Sequence, residues 1–177
     1  MKKIICISAK AEGGKDTVAN ILKSKLSDCG ERVIILHYAD VLKFYCQKYF
    51  GWDGVKDDYG RSLLQRIGTD IVREKDPDFW VKEVDNFIRI FSDLFDYFII
   101  SDCRFPNEIE YFTQKNMPII SVRVERPNHI SMLSEEQKNH KSETALDNYF
   151  HSHIITNNGT LEQLEDKVSS FIKKFNL

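Results

Sequence analysis

Near the start of the chain, Ser8-Ala9-Lys10-Ala11-Glu12-Gly13-Gly14-Lys15-Asp16-Thr17 follows the apolar run Ile4-Ile5-Cys6-Ile7. A buried strand that breaks into a glycine-ended loop and restarts as a helix builds a phosphate cradle. Loop amides and the helix N-terminus point at one spot, and a lysine completes the positive field. Gly13, Gly14 and Lys15 are therefore candidate ligands of a nucleoside triphosphate. The stretch departs twice from the general pattern G-x-x-x-x-G-K-[ST]: Ala9 replaces the first glycine and Asp16 the magnesium-binding hydroxyl. Alanine serves wherever no positive φ is required. An aspartate can ligate magnesium directly or through water, and Thr17 offers a hydroxyl one position on. The competing reading is an ordinary strand, turn and helix with a solvated lysine.

Other residues carry chemistry of the same kind. Asp102 closes an apolar run and could hold a magnesium shell; it could equally cap a helix or turn. Arg104 could reach the same edge, where a planar guanidinium contacts two phosphoryl oxygens at once; a surface salt bridge to Glu108 is the plainer account. Within residues 61–80, Gln65, Arg66, Gly68, Thr69 and Asp70 crowd polar groups around a glycine, which would let a ligand approach the backbone. Asp40 and Lys43 could serve an acceptor sugar or base, with helix N-capping by Asp40 as the alternative. Arg123, Arg126, His140, Lys141, Ser142 and Glu143 could form a basic lid that excludes water from a reactive donor; a solvated loop is the alternative. His151 and His153 have no third ligand at a suitable spacing and are not read as a metal site.

These residues must be positioned by an alternating α/β chain. Apolar periodicity predicts strands over about 3–8, 32–38, 95–102, 118–124 and 153–156. Helices are expected at about 15–28, 40–50, 60–74, 77–95, 106–115 and from about 160 onward. In the fourth of these Trp80, Val84, Phe87, Ile88, Phe91 and Phe95 recur at helical spacing. In the last, Leu161, Leu164, Val168, Phe171, Ile172 and Phe175 are expected to face inward. Residues 126–148 read as polar, irregular and mobile. Short strands alternating with helices imply a parallel sheet covered on both faces, with ligands at the C-terminal strand edge.

At 177 residues the chain suits one domain with a substantial core. A formal net charge of -2 argues against a nucleic-acid polymer as partner. No apolar run approaches the ~20 residues of a membrane span, and no signal-peptide pattern is seen. Cys6, Cys29, Cys46 and Cys103 lack C-x-x-C spacing and read as reduced thiols of a cytoplasmic protein.

Taken in order, these motifs resemble the deoxynucleoside monophosphate kinases of the bacteriophage type, a branch of the phosphate-loop kinases. The likeness runs through Gly14-Lys15-Asp16-Thr17, Tyr38-Ala39-Asp40-Val41-Leu42-Lys43, Leu63-Leu64-Gln65-Arg66-Ile67-Gly68-Thr69-Asp70 and Asp78-Phe79-Trp80-Val81. It continues through Ser101-Asp102-Cys103-Arg104-Phe105-Pro106-Asn107-Glu108, Val122-Arg123-Val124-Glu125-Arg126-Pro127, Ser142-Glu143-Thr144-Ala145-Leu146-Asp147 and Ile155-Thr156-Asn157-Asn158-Gly159-Thr160-Leu161. Gly-Lys-Asp-Thr is that family's own loop; Ala9 departs from its usual glycine.

The resemblance implies a three-layer α/β kinase fold with a mainly parallel five-stranded sheet, an acceptor-binding helical region over about 40–95 and a lid over about 126–148. It implies ATP with magnesium, and phosphoryl transfer to a deoxynucleoside 5′-monophosphate. In that scheme Lys15 holds the β/γ-phosphates, and Asp16, Thr17 and Asp102 place magnesium. Arg66 and Arg104 orient the acceptor phosphate, Arg123 or Arg126 closes on the transferring group, and Asn157 and Gly159 lie near the donor adenine. Asp40, Lys43, Gln65, Gly68, Thr69, Asp70, Trp80 and Glu143 serve the acceptor. A homodimer is what the resemblance suggests, in the host cytoplasm were the source viral. Animal-type phosphomevalonate kinases share the loop, the Asp102–Arg104 region and Ser142-Glu143, and a catalytically idle nucleotide-binding module is the alternative that Ala9 raises.

Overall fold

The computed structural model describes residues 3–127 and 129–177. The elements run β1 (Lys3–Ala9), α1 (Lys15–Asp28), β2 (Val33–Leu36), α2 (Ala39–Tyr49) and α3 (Asp58–Gln65). A π-helical segment (Arg66–Arg73) follows, then α4 (Phe79–Ile90), β3 (Tyr97–Cys103), α5 (Asn107–Gln114) and β4 (Ile119–Glu125). The chain continues through α6 (Glu135–Asn139), α7 (Lys141–Thr144), β5 (His153–Thr156) and α8 (Leu161–Phe175). All five strands are parallel, in the order β2-β3-β1-β4-β5.

β1 lies at the centre, which is why it reads as an unbroken apolar run: Ile4, Ile5, Cys6 and Ile7 are each at most 1% exposed. Its side chains alternate between two cores. Ile4 and Cys6 join Tyr38, Leu42, Trp80, Val84, Ile88 and Phe112 under α2, α4 and α5. Ile5, Ile7 and Ala9 join Val18, Leu22, Leu26, Leu164, Val168 and Phe171 under α1 and α8. Helices therefore cover both faces of the sheet, and every strand delivers its C-terminal end to the same edge. No helix among the described residues is long and apolar enough to cross a membrane.

Several elements depart from their sequence-based bounds. α4 stops at Ile90 rather than near 95: Phe91 closes it, with its N–H on the Phe87 carbonyl at 3.0 Å and its ring 4.6 Å from Phe87. Leu161 opens α8 on the solvent side at 59% exposure, so it does not face inward. Residues 126–148 contain α6 and α7, the first opened by a reciprocal Ser134–Gln137 capping box. The expected helix over 60–74 widens into the π-helical turn at Arg66. There Trp80 Nε1 donates to the Gly68 carbonyl at 3.0 Å.

Candidate active site

The loop after β1 is shaped by left-handed residues: Glu12 has φ 61° and Gly14 has φ 95°. Gly13 N–H closes on the Lys10 carbonyl at 3.0 Å, and Gly14 stands at the N-cap of α1 without a side-chain cap. The first-turn amides of a helix have no partner within it, so they face the loop mouth as anion donors. Ala9 is not among the positive-φ residues and pairs with Val124 in the sheet. The missing glycine there is thus no obstacle. A Cβ at Gly13 would lie 3.0 Å from the Ala9 Cβ and 3.0 Å from the Lys10 carbonyl, so any side chain there crowds the loop.

Lys15 Nζ lies 2.6 Å from Asp16 Oδ2, and Ser101 Oγ donates to Asp16 Oδ1 at 3.2 Å. Burial pushes the Asp16 carboxyl up, but the Lys15 ammonium and the Ser101 hydroxyl outweigh it and hold it below the usual value. A carboxylate with a hydroxyl beside it, at the mouth of an anion-binding loop, is a hard-oxygen set that fits magnesium. Thr17 is exposed on the first turn of the same helix. Asp102 is engaged elsewhere. β3 carries one extra residue against β1 between the pairs Cys6–Ile100 and Ser8–Cys103, a bulge that re-aims Ser101 and Asp102. Asp102 Oδ1 accepts from Tyr38 N–H at 2.8 Å and Oδ2 from Ala39 N–H at 3.0 Å. Asp102 thus caps α2, the alternative expected of it beside the magnesium role. Asp40, the expected alternative cap, instead bonds His37 at 3.1 Å and Lys43 at 2.9 Å.

Beside the loop, a cavity of about 860 Å³ including its mouth opens between α2, α3, the π-helical segment and the end of β3. Of the residues expected to serve the acceptor, Lys43, Gln65, Gly68, Thr69, Trp80, Arg104 and Glu143 line it, and Asp102 stands beside them. Asp40 does not, and neither do Arg66 and Asp70. The latter two are exposed, and Asp70 sits 3.5 Å from His140 Nε2. Arg61 of α3 and Arg73 at the end of the π-helical segment line the cavity instead, whereas Arg66 stays outside it. Gly68 is explained by packing: a Cβ there would stand 2.6 Å from Leu42 Cδ2.

Glu108, which sequence reasoning treated only as a surface partner for Arg104, is buried at 1% exposure. Its carboxylate accepts from the backbone N–H groups of Arg104 at 2.5 Å and Phe105 at 3.0 Å, and it pairs with Arg73. Burial pushes its carboxyl up, against the pull of Arg73 and the two amides. The Arg73 guanidinium also lies 4.2 Å from the Phe105 ring. A buried carboxylate fixing the Arg104 backbone leaves the Arg104 side chain for Glu143 and the Ser142 carbonyl.

Glu143 joins the two halves of the site. One carboxylate oxygen accepts from Ala11 N–H in the loop at 3.1 Å, and the other pairs with Arg104. Lys10 adds contacts to the Glu143 carbonyl at 2.7 Å and to Asp147. On the far side of the loop a second cleft is lined by Arg123, Arg126, His129 and Lys138. Arg123 lies 3.6 Å from Asp147; burial pulls its pKa down while Asp147 pushes back. Arg126 reaches the Glu12 carbonyl at 3.4 Å, and His129 meets the Glu12 carboxylate at 3.0 Å. Asn157 Nδ2 donates to the Gly13 carbonyl at 3.1 Å and so braces the loop from below. Gly159 is accounted for by the Thr160 cap of α8, whose Gln163 would collide with a Cβ there.

A family model described as deoxynucleotide monophosphate kinase matches residues 54–168, which include most of the cavity wall, the strand-end bulge and the Glu143 bridge. The uncharacterized protein ORF77 of Ictalurid herpesvirus 1 (strain Auburn) is 30% identical over 171 residues, covering 95% of this chain and 69% of that protein. The deoxynucleotide monophosphate kinase of Enterobacteria phage T4 is 30% identical over 124 residues, 68% of this chain and 48% of the phage protein. The match thus spans about half the length of that relative. Shikimate kinase from Bacteroides thetaiotaomicron superposes with a TM-score of 0.52 over 98% of both chains at 12% identity, a likeness of fold alone. The five-stranded parallel sheet and its helices are those of the phosphate-loop kinases, and the chain belongs to the deoxynucleotide monophosphate kinase family.

Proposed function

We propose that the protein transfers the γ-phosphoryl group of ATP to the 5′-phosphate of a deoxynucleoside monophosphate. One observation carries the reading: a phosphate loop and a cation-lined cavity share a sheet edge, and a single carboxylate, Glu143, touches both. A triphosphate on the loop and an anionic acceptor in the cavity would meet at Arg104. The helical region over about 40–95 is the acceptor site, and the segment over about 126–148 is the lid.

The acceptor oxygen is a phosphate oxygen already largely ionised near neutral pH, since its second pKa is about 6. No strong general base is needed. The protein has to offset repulsion between two polyanions and hold them in line. Lys15 and the first-turn amides of α1 neutralise the donor phosphates, and Arg104 stabilises charge on the transferring group. Magnesium, held by Asp16 with Ser101 and Thr17 nearby, would add positive charge at the donor phosphates. Contacts of the lid with the loop, through Lys10, Glu143 and His129, keep water from the donor.

The decisive assay uses purified protein, ATP, magnesium and a panel of acceptors, scored for ADP release. Turnover is expected with at least one deoxynucleoside monophosphate and none with phosphomevalonate. Lys15→Ala and Arg104→Ala should each lower turnover by about tenfold or more, as when charge stabilisation leaves a transition state. ATP binding without turnover on any acceptor would favour an idle module, although the extended backbone at Ala9 removes the feature that suggested one.

A further inference from the structure

Five cationic side chains line the cavity: Lys43, Lys56, Arg61, Arg73 and Arg104. Three are matched by carboxylates within the protein, Lys43 by Asp40, Arg73 by Glu108 and Arg104 by Glu143. Lys56 and Arg61 have no ion-pair partner among the described residues. Glu12 feels the field of Arg61 but bonds His129. We propose that Lys56 and Arg61 are the residues that grip the phosphate of the acceptor, two unmatched cations for one dianion. The assignment rests on the function proposed above and adds to it Lys56, from the segment joining α2 to α3, and Arg61, from the first turn of α3.

That segment is built to hold them in place. Trp52, 5% exposed, donates its Nε1–H to the Val55 carbonyl at 2.8 Å, and Val55 N–H donates to Asp53 at 2.9 Å. Both polar groups of the residue before Lys56 are thereby fixed. Asp57, the residue after it, caps α3 by accepting from Gly60 N–H at 2.7 Å. Gly60 has no room for a side chain, because a Cβ would run into the Val55 carbonyl and the Trp52 ring. Arg61 follows on the first turn of α3. Burial and the nearby charges of Lys43, Lys15, Arg104 and Arg61 together pull the Lys56 ammonium below its ordinary pKa. An incoming phosphate relieves that crowding, so binding and charge neutralisation favour each other.

Calorimetric titration of the whole protein tests this, with the four common deoxynucleoside 5′-monophosphates, the matching unphosphorylated nucleosides, and ATP. Lys56→Ala and Arg61→Ala should each weaken monophosphate binding by about tenfold, the usual scale for a charge-assisted hydrogen bond. Nucleoside and ATP affinities should stay within about twofold, and Lys56→Arg should restore most of the loss. Monophosphate affinity unchanged in both alanine variants would overturn the inference and leave the proposed reaction standing. Equal losses for nucleoside and monophosphate would overturn it too, by reducing the pair to a role in holding the loop. A wild-type protein that binds no deoxynucleoside monophosphate would take down the proposed reaction as well.

Discussion

Replacing Asp102 separates two roles that a carboxylate at a strand end can play. Its oxygens lie 2.8 Å and 3.0 Å from the N–H groups of Tyr38 and Ala39, at the start of a helix with no other side-chain cap. Hydrogen bonds to a charged acceptor contribute about 1.5–3 kcal/mol each, and a half-buried site lets water recover part of that. Asp102→Ala should therefore cost about 3 kcal/mol, or a fall in melting temperature of about 6–12 °C for a chain of this length. Asp102→Asn keeps one acceptor but turns an amide N–H toward a backbone N–H, so it should lose nearly as much. Thermal denaturation followed by circular dichroism, without nucleotide or magnesium, measures the effect. In the same variants the magnesium concentration giving half-maximal turnover should stay within about twofold of wild type, because Asp16 rather than Asp102 faces that site. A melting temperature within about 2 °C of wild type, together with a magnesium requirement raised about tenfold or more, would refute the capping argument and restore Asp102 as a metal ligand.

Other outcomes follow from the packing. Burial, with Arg123 nearby, pushes the His151 imidazole down to about 4 from 6.5, and its Nδ1 has no hydrogen-bond partner among the described residues. The unfolded chain takes up this proton first as pH falls, so the stabilisation is whole above pH 6.5 and drains toward pH 4. Wild type should lose about 2.5 kcal/mol more than His151→Leu between pH 7.5 and 4.5, measured by urea denaturation; parallel curves would show the ring is not so shielded. Gly68→Ala should cost about 1–3 kcal/mol through its clash with Leu42, and adding Leu42→Ala should cost about 1 kcal/mol less than the sum of the single changes. Strict additivity would mean the two residues do not meet. Glu143→Ala should raise KM for ATP and for the acceptor together, since its carboxylate touches both halves of the site; an effect confined to one substrate would contradict the bridge.

Fold and loop were legible because their signals are local. A strand buried on both faces needs an unbroken apolar run, and Ile4 to Ile7 supply one. The chemistry of the loop lies in ten consecutive residues, and Gly13, Gly14, Lys15 and Asp16 stand together as their spacing implied. The acceptor side was legible only in part. A helical wheel at 3.6 residues per turn cannot anticipate the π-helical segment from Arg66, at whose end Arg73 reaches the cavity wall while Arg66 stays outside. Lys56 lies in a turn without apolar periodicity, where Trp52 is the only cue that the backbone is braced. Asp102 caps amides 63 and 64 residues away in sequence, and Glu108 gained its place from Arg73, 35 residues away. Such pairings belong to topology, so reading along the chain does not reveal them.

The central position of β1 bears on how the molecule loses its ligand site. The strand that feeds the phosphate loop is hydrogen-bonded on both sides, to β3 and to β4. Its side chains anchor both cores. Fraying at either sheet edge, at β2 or β5, leaves that strand in place, whereas freeing it dismantles both layers at once. Loss of the loop's shape therefore coincides with global melting, and amides of Ile4 to Ile7 should be among the last to exchange with deuterated solvent.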